Sequence, residues 1–170
     1  MYAEIMTANG FNSPWYWLLV AIVWVRAIQW TIGVPADIMR AAKKGDSQAK
    51  QDALALMDIY IRTMTRDFNH FGTILVLMTC FVLASFATMG FWNGVAILQG
   101  VFFIAFPMVL LGALGVHLAY RLQNKPESWD ELQKIYRRQR WIKAAMAILF
   151  MFISMVWALF LEIRPYLEQL

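Results

Sequence analysis

Residues 13–35 read SPWYWLLVAIVWVRAIQWTIGVP, and the reading of this stretch decides the fold. From Trp15 to Val34 it is twenty residues long, mostly apolar, with a single charge at Arg26. About twenty apolar residues in helical geometry cross the hydrocarbon core of a bilayer. The stretch therefore predicts a transmembrane helix over 15–34 with an arginine inside it.

Outward from it, three more apolar spans follow. Residues 71–91 carry no charge, residues 94–119 carry none apart from His117, and residues 142–162 have Lys143 at one edge and Glu162 at the other. Composition agrees, with 61% hydrophobic and only 15% charged residues, against roughly 25% charged in soluble domains. The expected fold is all-α: one polytopic domain over residues 1–170 with four transmembrane helices. A separate soluble domain has no room. One cysteine, Cys80, excludes an internal disulfide and a clustered thiolate site.

The net charge of +4 has a topological origin. Of the 15 basic residues, 13 lie between spans one and two or between three and four, counting Lys143 at the edge of span four. Basic residues accumulate in cytoplasmic loops. The loops 36–70 and 120–141 are thus expected in the cytoplasm and both termini outside, as in a bacterial inner-membrane protein. This placement accounts for the charge without nucleic acid. Trp15, Tyr16, Trp17, Trp92, Trp157 and Tyr166 are expected near the outer interface. Trp30, Tyr120, Trp129, Tyr136 and Trp141 are expected near or beyond the inner one.

Both basic loops read as helical. ADIMRAA after Pro35 forms a short helix ending at Lys43-Lys44-Gly45, and Asp46 or Ser47 caps the next. Leu54, Met57, Ile61, Met64 and Phe68 keep helical spacing among charges and continue through Phe71, Leu75, Met78 and Val82. One helix from about 48 to 89 follows, projecting into the cytoplasm before it enters the membrane. In the second loop, after Asn124-Lys125-Pro126, Ser128 and Glu131 make a capping box. Trp129, Leu132, Ile135 and Tyr136 then supply a narrow apolar face leading into the fourth span. Depth counting brings Asp67 level with Arg137 and Arg138, which predicts an ion pair. Separately solvated charges are the alternative.

Few residues are suited to chemistry. Arg26 lies on the cytoplasmic half of its span, where a charge costs about 2.5–3.5 kcal/mol on insertion scales. On a continuous helix Gln29, Trp30 and Gly33 share its face, and Trp30 is placed to stack on the guanidinium. With no acid at matching depth, its partner is a backbone carbonyl, a hydroxyl such as Thr79 or Ser154, a lipid phosphate or another protein. An arginine that merely draws water and headgroups inward is the bland reading. His70 and His117 fall at similar depth, with Asp67 a turn before His70. They are candidate haem or metal ligands, although interfacial histidines with ordinary hydrogen bonds are commoner. Cys80 is expected as a small buried apolar group. Pro107, Gly112 and Gly115 fit a kinked, closely packed third span. No phosphate-binding glycine loop, G-x-S-x-G or H-E-x-x-H is present, so no enzyme active site and no resident metal or cofactor is read.

The run Asn12-Ser13-Pro14-Trp15-Tyr16-Trp17, its continuation Trp30-Thr31-Ile32-Gly33-Val34-Pro35, and the segment GFWNGVAILQGVFFIAFPMVLLGALGVHLAYRL resemble a group of small alphaproteobacterial membrane proteins. Members are often described as a component of the SufBCD complex of iron–sulfur assembly. The likeness spans most of the chain and rests on aromatic and glycine placement. It implies an inner-membrane protein and transfers no functional residue.

The leading functional expectation is a non-enzymatic accessory or assembly subunit of an inner-membrane complex. It would lie in the lipid bilayer beside a membrane-protein partner or further copies of itself. The alternatives are a small homo-oligomeric channel or transporter, for which Arg26, Gln29, Gln99 and Pro107 are the relevant features, and a haem- or metal-binding redox protein.

Overall fold

A computed structural model describes residues 11, 13–123 and 128–167. The expected turn at Asn124-Lys125-Pro126 lies outside the described residues.

Almost every described residue is helical. Helix α1 spans Pro14–Gln29. A two-stranded hairpin follows, β1 (Trp30–Thr31) and β2 (Val34–Pro35), then the short α2 (Ala36–Lys43). Helix α3 (Ser47–Ala87) runs into a π-helical turn at Thr88–Trp92. Helices α4 (Ala96–Leu122) and α5 (Trp129–Leu167) complete the chain. Among the described residues three helices are long and apolar enough to cross a membrane: Ser47–Trp92, Ala96–Leu122 and Trp129–Arg164.

The first expected span is corrected. It is not one helix over 15–34, because α1 stops at Gln29 after 16 residues. At 1.5 Å per residue it is about 24 Å long, short of the roughly 30 Å of hydrocarbon. The remaining residues pair antiparallel, Trp30 opposite Pro35 and Thr31 opposite Val34. The two loop residues, Ile32 and Gly33, have φ of 57° and 69°, the sign pattern of a type I′ turn. The local chemistry favours this outcome. Thr31, Ile32 and Val34 are β-branched and weak helix formers. Val34 precedes a proline and is pushed out of the α region.

Gly33 is the position that a larger residue cannot fill. Besides its positive φ, a Cβ there would lie 2.7 Å from the Cβ of Tyr60 on α3. The same tyrosine places its hydroxyl 2.9 Å from where a Cβ of Gly115 on α4 would be. Tyr60 thus wedges between the hairpin and α4. Gly115 permits the close approach expected of it. Gly112 has nothing within 4 Å and makes no such contact.

The helix ends in the basic loops follow the sequence. Asp46 accepts hydrogen bonds from the backbone N–H groups of Gln48 and Ala49 at 2.9 and 3.2 Å. Ser128 Oγ accepts from Glu131 N at 3.4 Å, the N-terminal half of the expected capping box. Helix α3 is continuous through 41 residues, about 60 Å.

Two clusters hold the chain together. The larger lies at the end carrying the basic residues and is built from segments flanking the spans. Val34, Met39, Met57 and Leu132 are essentially inaccessible there, with Ile61, Ala119 and Tyr136 around them. Burying such a side chain from water stabilises by about 1.5–3 kcal/mol. The smaller cluster sits among the spans, where Val20 and Trp24 of α1 pack on Ala147 of α5 with Ile104 and Met108 of α4 alongside. From Phe71 onward the faces of α3 turn largely outward: Phe71, Leu75 and Met78 are exposed, as lipid-facing residues are. Cys80 is exposed too, so it belongs to that outer face and not to the interior as expected.

At the opposite end an aromatic cluster closes the turn between α3 and α4. Phe91 meets Trp157 with ring centroids 5.2 Å apart and Phe102 at 5.6 Å. Buried Gln99 ties the cluster: its Nε2 donates to Gly90 O at 2.7 Å, and its Oε1 accepts from Trp157 Nε1 at 2.9 Å. Trp157 and Tyr136, expected in interfacial belts, are therefore packing residues. Trp15, Trp92 and Trp141 are exposed as such belts require.

Candidate functional site

The residues singled out in the first apolar stretch do not share a helical face. Because α1 ends at Gln29, Arg26 occupies its last turn, not the interior of a longer helix. A cation there faces the partial negative charge of the helix C-terminus, which lowers the cost of its placement. Arg26 and Gln29 are exposed, and Trp30 is 52% exposed. Gly33 has left this face altogether and lies in the hairpin turn against Tyr60. Among the described residues Arg26 makes no hydrogen bond or ion pair through its side chain. Ser154, one candidate partner, is buried and donates its hydroxyl to Phe150 O at 2.7 Å.

The end of α1 is held by a residue that depth counting left at the margin. Lys143 of α5 donates from Nζ to Ala27 O at 2.9 Å and to Trp30 O at 2.6 Å. The last carbonyls of a helix have no partner inside it, and a lysine amine satisfies two of them here while adding charge complementary to the dipole. A lysine on the margin of an apolar span, with a stem long enough to reach a neighbouring helix end, was the available signal. The acceptor was not visible, because a continuous helix over 15–34 has no carbonyls free at 27 and 30.

The expected ion pair from Asp67 to Arg137 and Arg138 is not formed. Asp67 Oδ1 accepts instead from Arg66 Nε at 3.3 Å, an exposed pair of neighbours. Helix α3 packs mainly on α4 and α2 and touches α5 little. Matching depth is not contact. Between α3 and α4 the observed polar bridge is Tyr120 Oη donating to Asn69 Oδ1.

His70 and His117 are both exposed. His70 Nδ1 lies 3.2 Å from Arg66 O on its own helix. Among the described residues no group of three His, Cys, Asp or Glu side chains is placed to hold a metal ion.

Comparison with protein-family models, with curated proteins and with solved structures returns no match to this chain. Nothing in those comparisons bears on the likeness to the alphaproteobacterial proteins described as a SufBCD component.

The candidate site is therefore an exposed polar patch at the end of α1. Arg26 and Gln29 project from a helix whose last carbonyls are already taken by Lys143, flanked by exposed Ile22 and Val25. It has hydrogen-bond donors and a charge to offer.

Proposed function

We propose that this chain is a non-enzymatic accessory or assembly subunit of a bacterial inner-membrane complex. The observation that carries the reading is Arg26: a cation on an otherwise apolar helix, exposed, with no carboxylate near it among the described residues. In a membrane such a group is expensive unless it meets an acceptor. A carboxylate or a carbonyl cluster on a neighbouring membrane helix supplies one, and exposed Ile22, Val25 and Gln29 extend the contact. In this reading the basic end is cytoplasmic and both termini are outside, following the distribution of lysine and arginine. Helix α1 then enters the bilayer as a fourth, short apolar helix backed by α4 and α5, and the basic halves of α3 and α5 project into the cytoplasm.

The channel reading is weaker because Gln99, its best candidate for a polar path, has both ends of its amide bonded in a packed cluster. The redox reading rests on two exposed histidines alone.

Purification in mild detergent followed by mass spectrometry of co-purifying proteins tests the proposal. A reproducible membrane partner whose yield falls at least fivefold with Arg26→Ala is expected. A protein that always emerges alone as a monomer, or an association indifferent to the substitution, overturns it.

A further inference from the structure

A second feature at the basic end is independent of the α1 patch. Between α2 and α5 lies a cavity of about 370 Å³ lined by Lys43, Tyr136, Arg137, Arg140, Trp141 and Ala144. Pockets for small ligands begin at roughly 300 Å³, so a phosphate with part of a glycerol moiety fits. Three of the six lining residues are cationic, and they come from two elements. Among the described residues none of the three has a carboxylate within ion-pair distance. The two ion pairs seen on exposed surfaces of α3 join other residues, Arg62 to Asp58 and Arg66 to Asp67.

Tyr136 forms part of the cavity wall. Tyr136 is 2% exposed, and its hydroxyl has no hydrogen-bond partner. A buried hydroxyl without a partner costs about 1–3 kcal/mol; this one is fully buried behind the cavity wall and is out of reach of a ligand in the cavity. Burial pushes the Tyr136 phenol above its ordinary value, while Arg140 and Arg40 pull it down and Asp37 raises it.

The surroundings point to the source of the phosphate. Trp141 at the rim is 72% exposed, and one and two turns beyond Ala144 the same side of α5 presents Ile148 and Phe152, 72% and 64% exposed. A pocket with three cationic side chains in a largely apolar lining thus opens onto an apolar strip running into the apolar part of α5. Exposed tryptophan belongs at headgroup level, and basic pockets beside transmembrane helices take anionic headgroups. A free phosphate would use the pocket and leave the strip unused.

We propose that this cavity binds the phosphate of an anionic phospholipid headgroup, with the acyl chains lying along the apolar strip of α5. Arg137 and Arg140 supply forked donors suited to phosphate oxygens, and Lys43 a point charge from α2. The lipid then acts as a clamp between α2 and α5.

The test uses the purified full chain, delipidated in neutral detergent and titrated with phosphatidylglycerol while bound lipid is counted by native mass spectrometry. Phosphatidylcholine and inorganic phosphate are run in parallel. Phosphatidylglycerol is expected to bind at least tenfold more tightly than phosphatidylcholine. The combined variant Lys43→Gln, Arg137→Gln, Arg140→Gln is expected to abolish that preference. Arg62→Gln with Arg66→Gln, which removes two basic residues elsewhere, should leave it intact. Equal binding of the two lipids, or a preference that survives the triple variant, overturns the site. Inorganic phosphate that competes as effectively as phosphatidylglycerol overturns the assignment to a lipid.

Discussion

Gly33 carries two independent constraints, a left-handed backbone and a neighbouring Cβ at 2.7 Å. Gly33→Ala should therefore lower stability by roughly 2–4 kcal/mol, combining the left-handed penalty with overpacking; thermal unfolding in detergent measures it. Lys143→Met keeps the stem and removes two charge-assisted hydrogen bonds to the end of α1. A loss of about 1–3 kcal/mol is expected, with increased proteolysis between α1 and α2 as a second readout. Tyr60 and Tyr136 titrate above the ordinary 10.0 of a phenol because burial disfavours the phenolate. Above about pH 10 the unfolded chain loses these protons before the folded one does. Their contribution is then complete below that pH and is lost as pH rises through the folded values. Stability followed from pH 8 to 11 should be flat and then fall, and Tyr60→Phe should reduce the fall. These residues were only partly legible beforehand. Gly33 stood out in the sequence, but as a member of a helical face; the β-branched neighbours and Pro35 were the signal for a turn. Arg26 was legible as an unpaired charge, and its place in the last turn of a helix was hidden for the same reason.

Elements were legible in proportion to the polarity around them. In the basic loops, where charge contrasts with apolar residues, helix limits could be read almost to the residue: Lys43 ends α2, Asp46 caps α3, and Ser128 precedes α5. Within apolar stretches periodicity is silent, and a short buried strand cannot be told from a helical segment. The hairpin at 30–35 was hidden for that reason. Gln99 shows the same effect for a side chain. In the sequence it is an isolated amide in an apolar span; in the fold it bridges the α3–α4 turn and Trp157. Gln99→Leu leaves the Gly90 carbonyl and the Trp157 indole N–H unpaired. It should cost about 1–3 kcal/mol, and the intrinsic fluorescence of the detergent-solubilised protein should shift as the indole environment changes.

At the scale of the molecule, the prediction concerns orientation. If the basic end is cytoplasmic, single cysteines placed at Asn93 and at Lys44 in a Cys80→Ser background should react differently with a membrane-impermeant thiol reagent in intact cells. Asn93 should label and Lys44 should not; the reverse pattern would reject the orientation. The sequence by itself determined the membrane character, the three long spans, the helical nature of both basic loops and the segregation of charge to one end, because each follows from local composition and spacing. Only the tertiary structure decided where α1 stops, which residues form the main core, and which charges meet. Those outcomes depend on close approach between segments distant in the chain: Tyr60 with Gly33 and Gly115, Lys143 with the carbonyls of Ala27 and Trp30, Tyr136 with the cavity between α2 and α5. In an apolar stretch many conformations are nearly equivalent locally, and packing chooses among them.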